Sequence, residues 1–262
     1  MEKLAGVYET KKKNGEIYYR SSLTYQGRHI SLQSFDDPHK AHLCYKEAQN
    51  CLRDTDITLE NYSPKYLTFE KLVCLLNFRD NHLYFSTPIY MTRKFFYYYF
   101  SKDDFLLFDL DDLFYYSRHK IMRRGGHLFV SDYGMQVNIL NRYGIKNYAV
   151  KGRDYLFLNG DESDYRYTNI EIINHYHGVT RIQKENHSIY KATIHVVGDY
   201  LIGIYDSEQD AAIAYNKAVD ILHTCGSQKN YPVNFIDGIS PKTYAEIYSE
   251  LQVSDKLYHA LS

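Results

Sequence analysis

The chain has 262 residues, more than one typical domain needs and enough for two or three. Its formal net charge is -1, so no global basic field draws it to nucleic acid, and any such surface has to be local. Hydrophobic content of 44% suits a globular chain, and no run of about 18 apolar residues, the minimum for a membrane-spanning helix, occurs.

Met1-Glu2-Lys3 leads directly into folded-looking sequence, so no signal peptide is expected. From Gly6, GVYETK, IYYRSSLTY and the stretch after Gly27 read as three short strands. Ala41, Cys44, Tyr45, Ala48 and Leu52 then fall at helical spacing. Ser63-Pro64 reads as a cap followed by a first-turn proline, opening a short helix over TFEKLVCLL. Residues 78–175 change character. They are dense in Tyr and Phe, carry Arg118-His119-Lys120 and Arg123-Arg124, and are punctuated by Gly125-Gly126 and Asn159-Gly160, which predicts short strands with one or two helices. From Gly178 the opening pattern returns: GVTRIQ, IYKATIHV and YLIGIY as strands, Gly198 in the second turn, and Asp206 or Ser207 as a helix cap. Ala211, Ala214, Tyr215, Ala218 and Leu222 repeat the helical spacing, and Ser240-Pro241 opens a last helix over TYAEIYSEL.

The two ends are therefore copies of one unit. Ala41, Tyr45, Ala48 and Leu52 match Ala211, Tyr215, Ala218 and Leu222 without a gap. The expected class is α+β, with two three-stranded antiparallel sheet-plus-helix modules, 1–77 and 176–262, flanking a small mixed middle domain, 78–175. Cys44, Cys51, Cys74 and Cys225 make no CxxC pair and read as reduced thiols.

The second copy carries Tyr190-Lys191-Ala192-Thr193-Ile194, then Gly203-Ile204-Tyr205-Asp206, then Ala211-Ala212-Ile213-Ala214-Tyr215. Over about 60 residues this resembles the Apetala-two/ethylene-response-factor DNA-binding domain; the first copy, with Ser21 and Leu23 for Ala and Ile, is more diverged. The resemblance implies a sheet that enters the major groove of double-stranded DNA. Strand alternation then selects the candidate contacts. In the first copy they are Tyr8, Thr10, Tyr18, Arg20, Ser22 and Thr24, with Lys11, Lys12 and Lys13 in the loop and Arg28 beyond; in the second, Thr180, Ile182, Lys191, Thr193 and His195, with Arg181 and Lys184 beside them. Few of these are arginines, whereas the plant family has several, so guanine readout is limited to Arg20 and to Arg28 or Arg181.

In phage and mobile-element proteins this domain accompanies an HNH homing nuclease, and the middle segment resembles a degenerate one. LFDLDDLFYYSRHKIMRRGGHLFV and DYLFLNGDESDYRYTNIEII follow its outline, keeping Asn159-Gly160, Arg166 and Asn169-Ile170. The positions for the general base and metal ligands hold Asn138, Leu156, Phe157 and Tyr165, of which Leu156 and Phe157 can neither bind metal nor accept a proton. Leu156 and Phe157 are expected in the core. His119 and His127 lack an acidic neighbour in sequence, and His175 and His177 read as an exposed pair rather than a metal clip. The expected protein is a non-catalytic DNA-binding regulator, needing no metal or cofactor, with two reading heads on a monomer, working in the cytoplasm and on the nucleoid if bacterial or phage. The alternatives are an active HNH endonuclease and a module that binds protein or a small ligand.

Overall fold

A computed structural model describes residues 4–260. The class is α+β. The first copy is an antiparallel sheet of β1 (Val7–Lys11), β2 (Ile17–Tyr25) and β3 (Arg28–Phe35), followed by α1 (Pro38–Arg53) and α2 (Phe69–Asn81). An aromatic segment follows: β4 (Ile89–Met91), β5 (Phe95–Ser101) and β6 (Asp104–Asp109) form a second antiparallel sheet, then come α3 (Leu113–Arg118) and the short strands β7 (Met122–Arg124), β8 (His127–Asp132) and β9 (Met135–Asn138). A two-stranded pair, β10 (Tyr155–Phe157) with β11 (Ile170–Ile172), precedes the second copy. That copy is β12 (Val179–Gln183), β13 (Ser188–His195), β14 (Asp199–Tyr205), α4 (Glu208–Thr224) and α5 (Pro241–Glu250).

The copies agree in detail, and the shared residues explain why. Gly6 and Gly178 have φ of +74° and +71°, a conformation that disfavours a side chain. Each also lies against the matching tyrosine of the following helix: a Cβ would come within 2.2 Å of Tyr45 or 2.1 Å of Tyr215. Each glycine carbonyl accepts from the backbone N–H of β2 or β13, at Ser22 (3.0 Å) and Thr193 (2.8 Å). In both copies the pairing of the middle strand with the third shifts register at the same place, opposite Arg20/Ser22 and Ala192/Thr193, with the extra residue on β3 and on β14. Asp37 and Ser207 cap α1 and α4 through the N–H of His39 (2.8 Å) and Asp210 (3.0 Å). Small residues (Ala41, Cys44 and Ala48; Ala211, Ala214 and Ala218) are fully buried, which lets each helix lie close on its sheet.

After the helix the copies part. Glu47 and Lys217 occupy the same helical position. Glu47 accepts the N–H groups of Lys65, Tyr66 and Leu67 at 2.7, 2.7 and 2.8 Å and the Tyr62 hydroxyl at 2.9 Å. Lys217 instead donates to the carbonyls of Tyr248 and Leu251, at 2.8 and 2.7 Å, at the end of α5. A carboxylate thus holds the chain entering one helix, while an ammonium group holds the chain leaving the other, in line with the helix dipole. Ser240 caps α5 with Pro241 in its first turn, as expected. Ser63-Pro64 does not open α2. Two extra residues, Tyr66 and Leu67, are drawn to Glu47, and Thr68 becomes the cap.

The chain divides into two compact units, 1–137 with 161–169, and 138–160 with 170–262. This corrects the expected boundaries. A cut after residue 77 falls inside α2, whose residues Leu72 to Phe78 are all buried. A helix apolar on every side needs cover on every side. One side joins the core of Leu23, Ile30, Leu52 and Ile57, while Asn77 on the other accepts the Met91 N–H at 2.8 Å and Cys74 donates to the Thr87 carbonyl at 3.3 Å. The inner face of β4–β6 completes this unit, with Phe96 stacked on Phe108, both rings meeting Tyr116 of α3, and Tyr98 fully buried on the same face. Residues 161–169 belong to it because Leu107 exchanges backbone hydrogen bonds with Ser163 and Tyr165, both 2.8 Å. The rest of the expected middle domain, 138–160 and 170–175, belongs to the second unit, where the buried Asp154 is bound by Lys146, Arg153 and Asn174.

Candidate nucleic-acid interface

Directly paired residues in an antiparallel sheet share a face. In the first sheet Tyr8 pairs with Arg20, Thr10 with Tyr18, Ser22 with Ser31, and Thr24 with His29. These side chains form the face away from α1. Tyr8, Thr10, Arg20, Ser22, His29 and Ser31 line a shallow depression of 260 Å³. Tyr8 is 56% exposed. The Arg20 side chain is exposed and has neither a hydrogen bond nor an ion pair among the described residues. Lys11 and Lys13 are likewise exposed and unpaired at the rim, while Lys12 is engaged by Glu16 at 2.9 Å. The expected outward set is therefore brought together, with one adjustment: the register shift after Arg20 sinks Ser22 to 5% exposure, so it reaches the surface only as the floor of the depression.

Arg28 is a correction. It pairs with Tyr25 on the helix side of the sheet, and its guanidinium lies 4.6 Å from the centroid of the Tyr84 ring. Sequence alternation missed His29 and Ser31, because β3 was not included in it. Counting alternate residues back from the buried Ile30 and Leu32 finds both.

In the second sheet Thr180 pairs with Lys191, Lys191 with Ile204, Thr193 with Leu201, and His195 with Asp199. Ala192 and Ile194 are buried against α4, so Lys191, Thr193 and His195 do face outward. Arg181 is the second correction. It pairs with Tyr190, on the helix side, and its guanidinium bonds Ser188 (2.9 Å) and Gln183 (3.4 Å). His195 is held by Asp199 at 2.8 Å, and Lys184 is exposed in the turn. The outer face is also more apolar than the first, with Leu201 47% and Ile204 56% exposed opposite Thr193 and Lys191, and with Ile182, across β13 from them, paired to Ile189. The two copies share a fold and differ in the chemistry of the face they present.

The residues at the positions that the HNH resemblance singles out pack and hydrogen-bond within the fold. The Asn138 side chain caps a turn by accepting the Leu140 N–H at 2.9 Å. Phe157 is buried, and Tyr165 is buried 5.5 Å from the Phe108 ring; Leu156 is only half-buried, opposite Glu171, contrary to the expectation that both it and Phe157 are core. Arg166 forms an ion pair with the buried Asp164 at 2.6 Å, and Asn169 donates to the Asp164 carbonyl at 2.8 Å. His119 has an acidic partner after all: Asp132 lies 3.5 Å away, 13 residues on. His175 is exposed and bound to Glu208 at 3.0 Å. The backbone N–H of His177 meets Asn234, and burial, reinforced by the Lys146 charge, holds the His177 ring below the usual histidine range. No group of three or more His, Cys, Asp or Glu side chains is placed to hold a metal ion among the described residues. Among them, too, no helix is long and apolar enough to cross a membrane.

No protein-family model, curated protein or solved structure matches this chain.

Proposed function

We propose that this protein binds double-stranded DNA as a non-catalytic regulator, with the outer face of β1–β3 as its principal reader. The observation that carries this reading is Arg20. An unpaired guanidinium at the centre of an exposed sheet face, among Tyr8, Thr10, Thr24, His29 and Ser31, has all its donors available for a guanine edge or a phosphate. Lys11 and Lys13 at the rim supply the sequence-independent attraction to the backbone. The test is selection of bound sequences from a random duplex pool by the full chain, followed by titration of the selected site. Arg20→Ala is expected to weaken that site by about 1–3 kcal/mol and to relax preference at one base pair. Unchanged affinity and unchanged preference defeat the proposal.

The second copy supports a different share of the work. Its outward Lys191 and Thr180 suit backbone contact, and Leu201 and Ile204 beside them favour an apolar partner as a second reading for this face. If both copies engage DNA on one chain, the site is bipartite and asymmetric, because the two faces differ, and affinity gains from effective concentration without a dimer. Loss of nuclease chemistry belongs to the same proposal, as does action in the cytoplasm.

A further inference from the structure

A cleft of 510 Å³ in the first unit is unrelated to either outer sheet face. Its aromatic side comes from the face of β4–β6 opposite Phe96, Tyr98 and Phe108: Tyr90, Tyr97, Tyr99 and Phe105, of which Tyr90 also packs against the core around α2 and Tyr99 meets Phe69. Tyr97 and Phe105 meet edge to face, 5.3 Å apart at 90°, and Tyr99 stands 5.5 Å from Phe105 at 55°. The three rings therefore form a corner of differently oriented walls rather than a flat slot. All three are half-buried, and the hydroxyls of Tyr97 and Tyr99 have no hydrogen-bond partner among the described residues.

The opposite wall decides the charge of a ligand. Arg79 lines the cleft, yet its guanidinium is spent: Nε and Nη2 donate to Asp80, Nη1 to the Cys51 and Asp54 carbonyls, and Nη2 also to Ile57. All five N–H groups are used, which leaves none for an anion. Asp80 is in turn satisfied by Arg79 and by the Tyr90 hydroxyl at 2.9 Å. The charges left over are Glu60 and Asp103, both exposed and without an ion pair among the described residues, against Lys102 alone. Burial, then Tyr97, Tyr90 and Glu60, pushes the Tyr99 phenol up to about 12, and burial with the Asp80 contact does the same for Tyr90. Both rings stay neutral at working pH.

We propose that this cleft binds a small organic cation of the alkylated ammonium class, its methylated head against the Tyr97, Tyr99 and Phe105 rings and its charge balanced by Glu60 and Asp103. Aromatic faces attract such cations through the ring quadrupole, and a weakly hydrated alkylated head loses little on leaving water. A nucleotide or other anion meets two carboxylates and a saturated arginine. The volume suits a small molecule.

The experiment is calorimetric titration of the full chain with choline and with its uncharged isostere, in which a tert-butyl group replaces the trimethylammonium. Choline is expected to bind saturably, and the isostere to bind about tenfold more weakly or worse. Glu60→Gln with Asp103→Asn, both on the surface and harmless to folding, is expected to weaken choline several-fold; Phe105→Leu is expected to abolish binding. Free choline is compared with choline displayed on phosphatidylcholine vesicles. Saturation by the free cation without vesicle sedimentation is the expected pattern. Equal binding of the isostere, absence of saturation at millimolar choline, an unchanged Glu60/Asp103 variant, or sedimentation that choline cannot compete away each overturns the assignment.

Discussion

Replacing Gly178 or Gly6 by alanine tests whether the repeated Gly-Val opening is a packing requirement. Two costs add at each site. The backbone is left-handed, which penalises a Cβ by about 1–2 kcal/mol. The Cβ also overlaps a ring: 2.1 Å from Tyr215 Cδ2 at Gly178, and 2.2 Å from Tyr45 Cδ2 at Gly6. Overpacking of this kind costs about 1–3 kcal/mol, so each variant is expected to lose about 2–5 kcal/mol. The neighbours then separate the two sites. At Gly6 the three nearest atoms all belong to the Tyr45 side chain, whereas at Gly178 the Thr193 backbone carbonyl also lies at 2.5 Å. Truncating the tyrosine to alanine leaves a 2.8 Å contact with the Tyr45 Cβ at Gly6 and the tighter 2.5 Å contact with the Thr193 carbonyl at Gly178, so the relief is partial at both sites and greater at Gly6. Double-mutant cycles of Gly6→Ala with Tyr45→Ala and of Gly178→Ala with Tyr215→Ala are expected to show favourable coupling, larger in the first pair. Because the chain has two compact units, segment-resolved amide hydrogen exchange is the suitable assay, reporting on β1–β3 or β12–β14 separately. A loss under about 1 kcal/mol, or coupling equal in the two cycles, refutes the packing argument.

Four other outcomes are expected. Glu47→Gln keeps one carbonyl oxygen but turns an amide N–H₂ toward the N–H groups of its former partners, and is expected to cost about 2–4 kcal/mol in urea unfolding. Burial pushes the thiols of Cys44, Cys51 and Cys74 up to about 11, while Cys225 is exposed, so a thiol reagent at pH 8 should titrate one group in the native protein and four in denaturant. Arg20→Ala is expected to leave stability within about 0.5 kcal/mol of the parent while weakening DNA binding, a separation measured by unfolding and gel shift on one preparation. Purified protein is expected not to nick plasmid DNA with magnesium, manganese or zinc, since the HNH resemblance puts Phe157 and Tyr165 at positions where such a nuclease holds its catalytic groups; nicking that tracks the protein and stops with chelator contradicts this.

Much of the fold was legible in residue order because it is local. The helix periods of α1 and α4, the Ser207 and Ser240 caps and the strand alternation around Ala192 and Ile194 depend on neighbours a few residues away. The repeat added the pairing of distant segments, since two copies of one pattern imply one architecture. The outward positions of Tyr8, Arg20, Lys191 and Thr193 followed from alternation alone. Where a bulge intervened or a strand was left out of the count, as at Ser22, His29 and Ser31, alternation stopped short.

Tertiary structure decided what depends on partners far along the chain. Arg28 and Arg181 stand on the helix side, as strict alternation with His29 and with Thr180 requires, but only the fold shows what holds each, the Tyr84 ring for one and Ser188 for the other. The boundary at α2 could not be read from its residues, because an evenly apolar helix does not say which sheet covers its second side; β4–β6 does. Likewise Glu60, Arg79, Tyr97 and Phe105 share no motif, and the cleft they line exists only because α2 and the loop before it fold against an aromatic sheet. Local order fixes periodicity, capping and side-chain alternation, whereas which face meets which partner is set by packing across the chain.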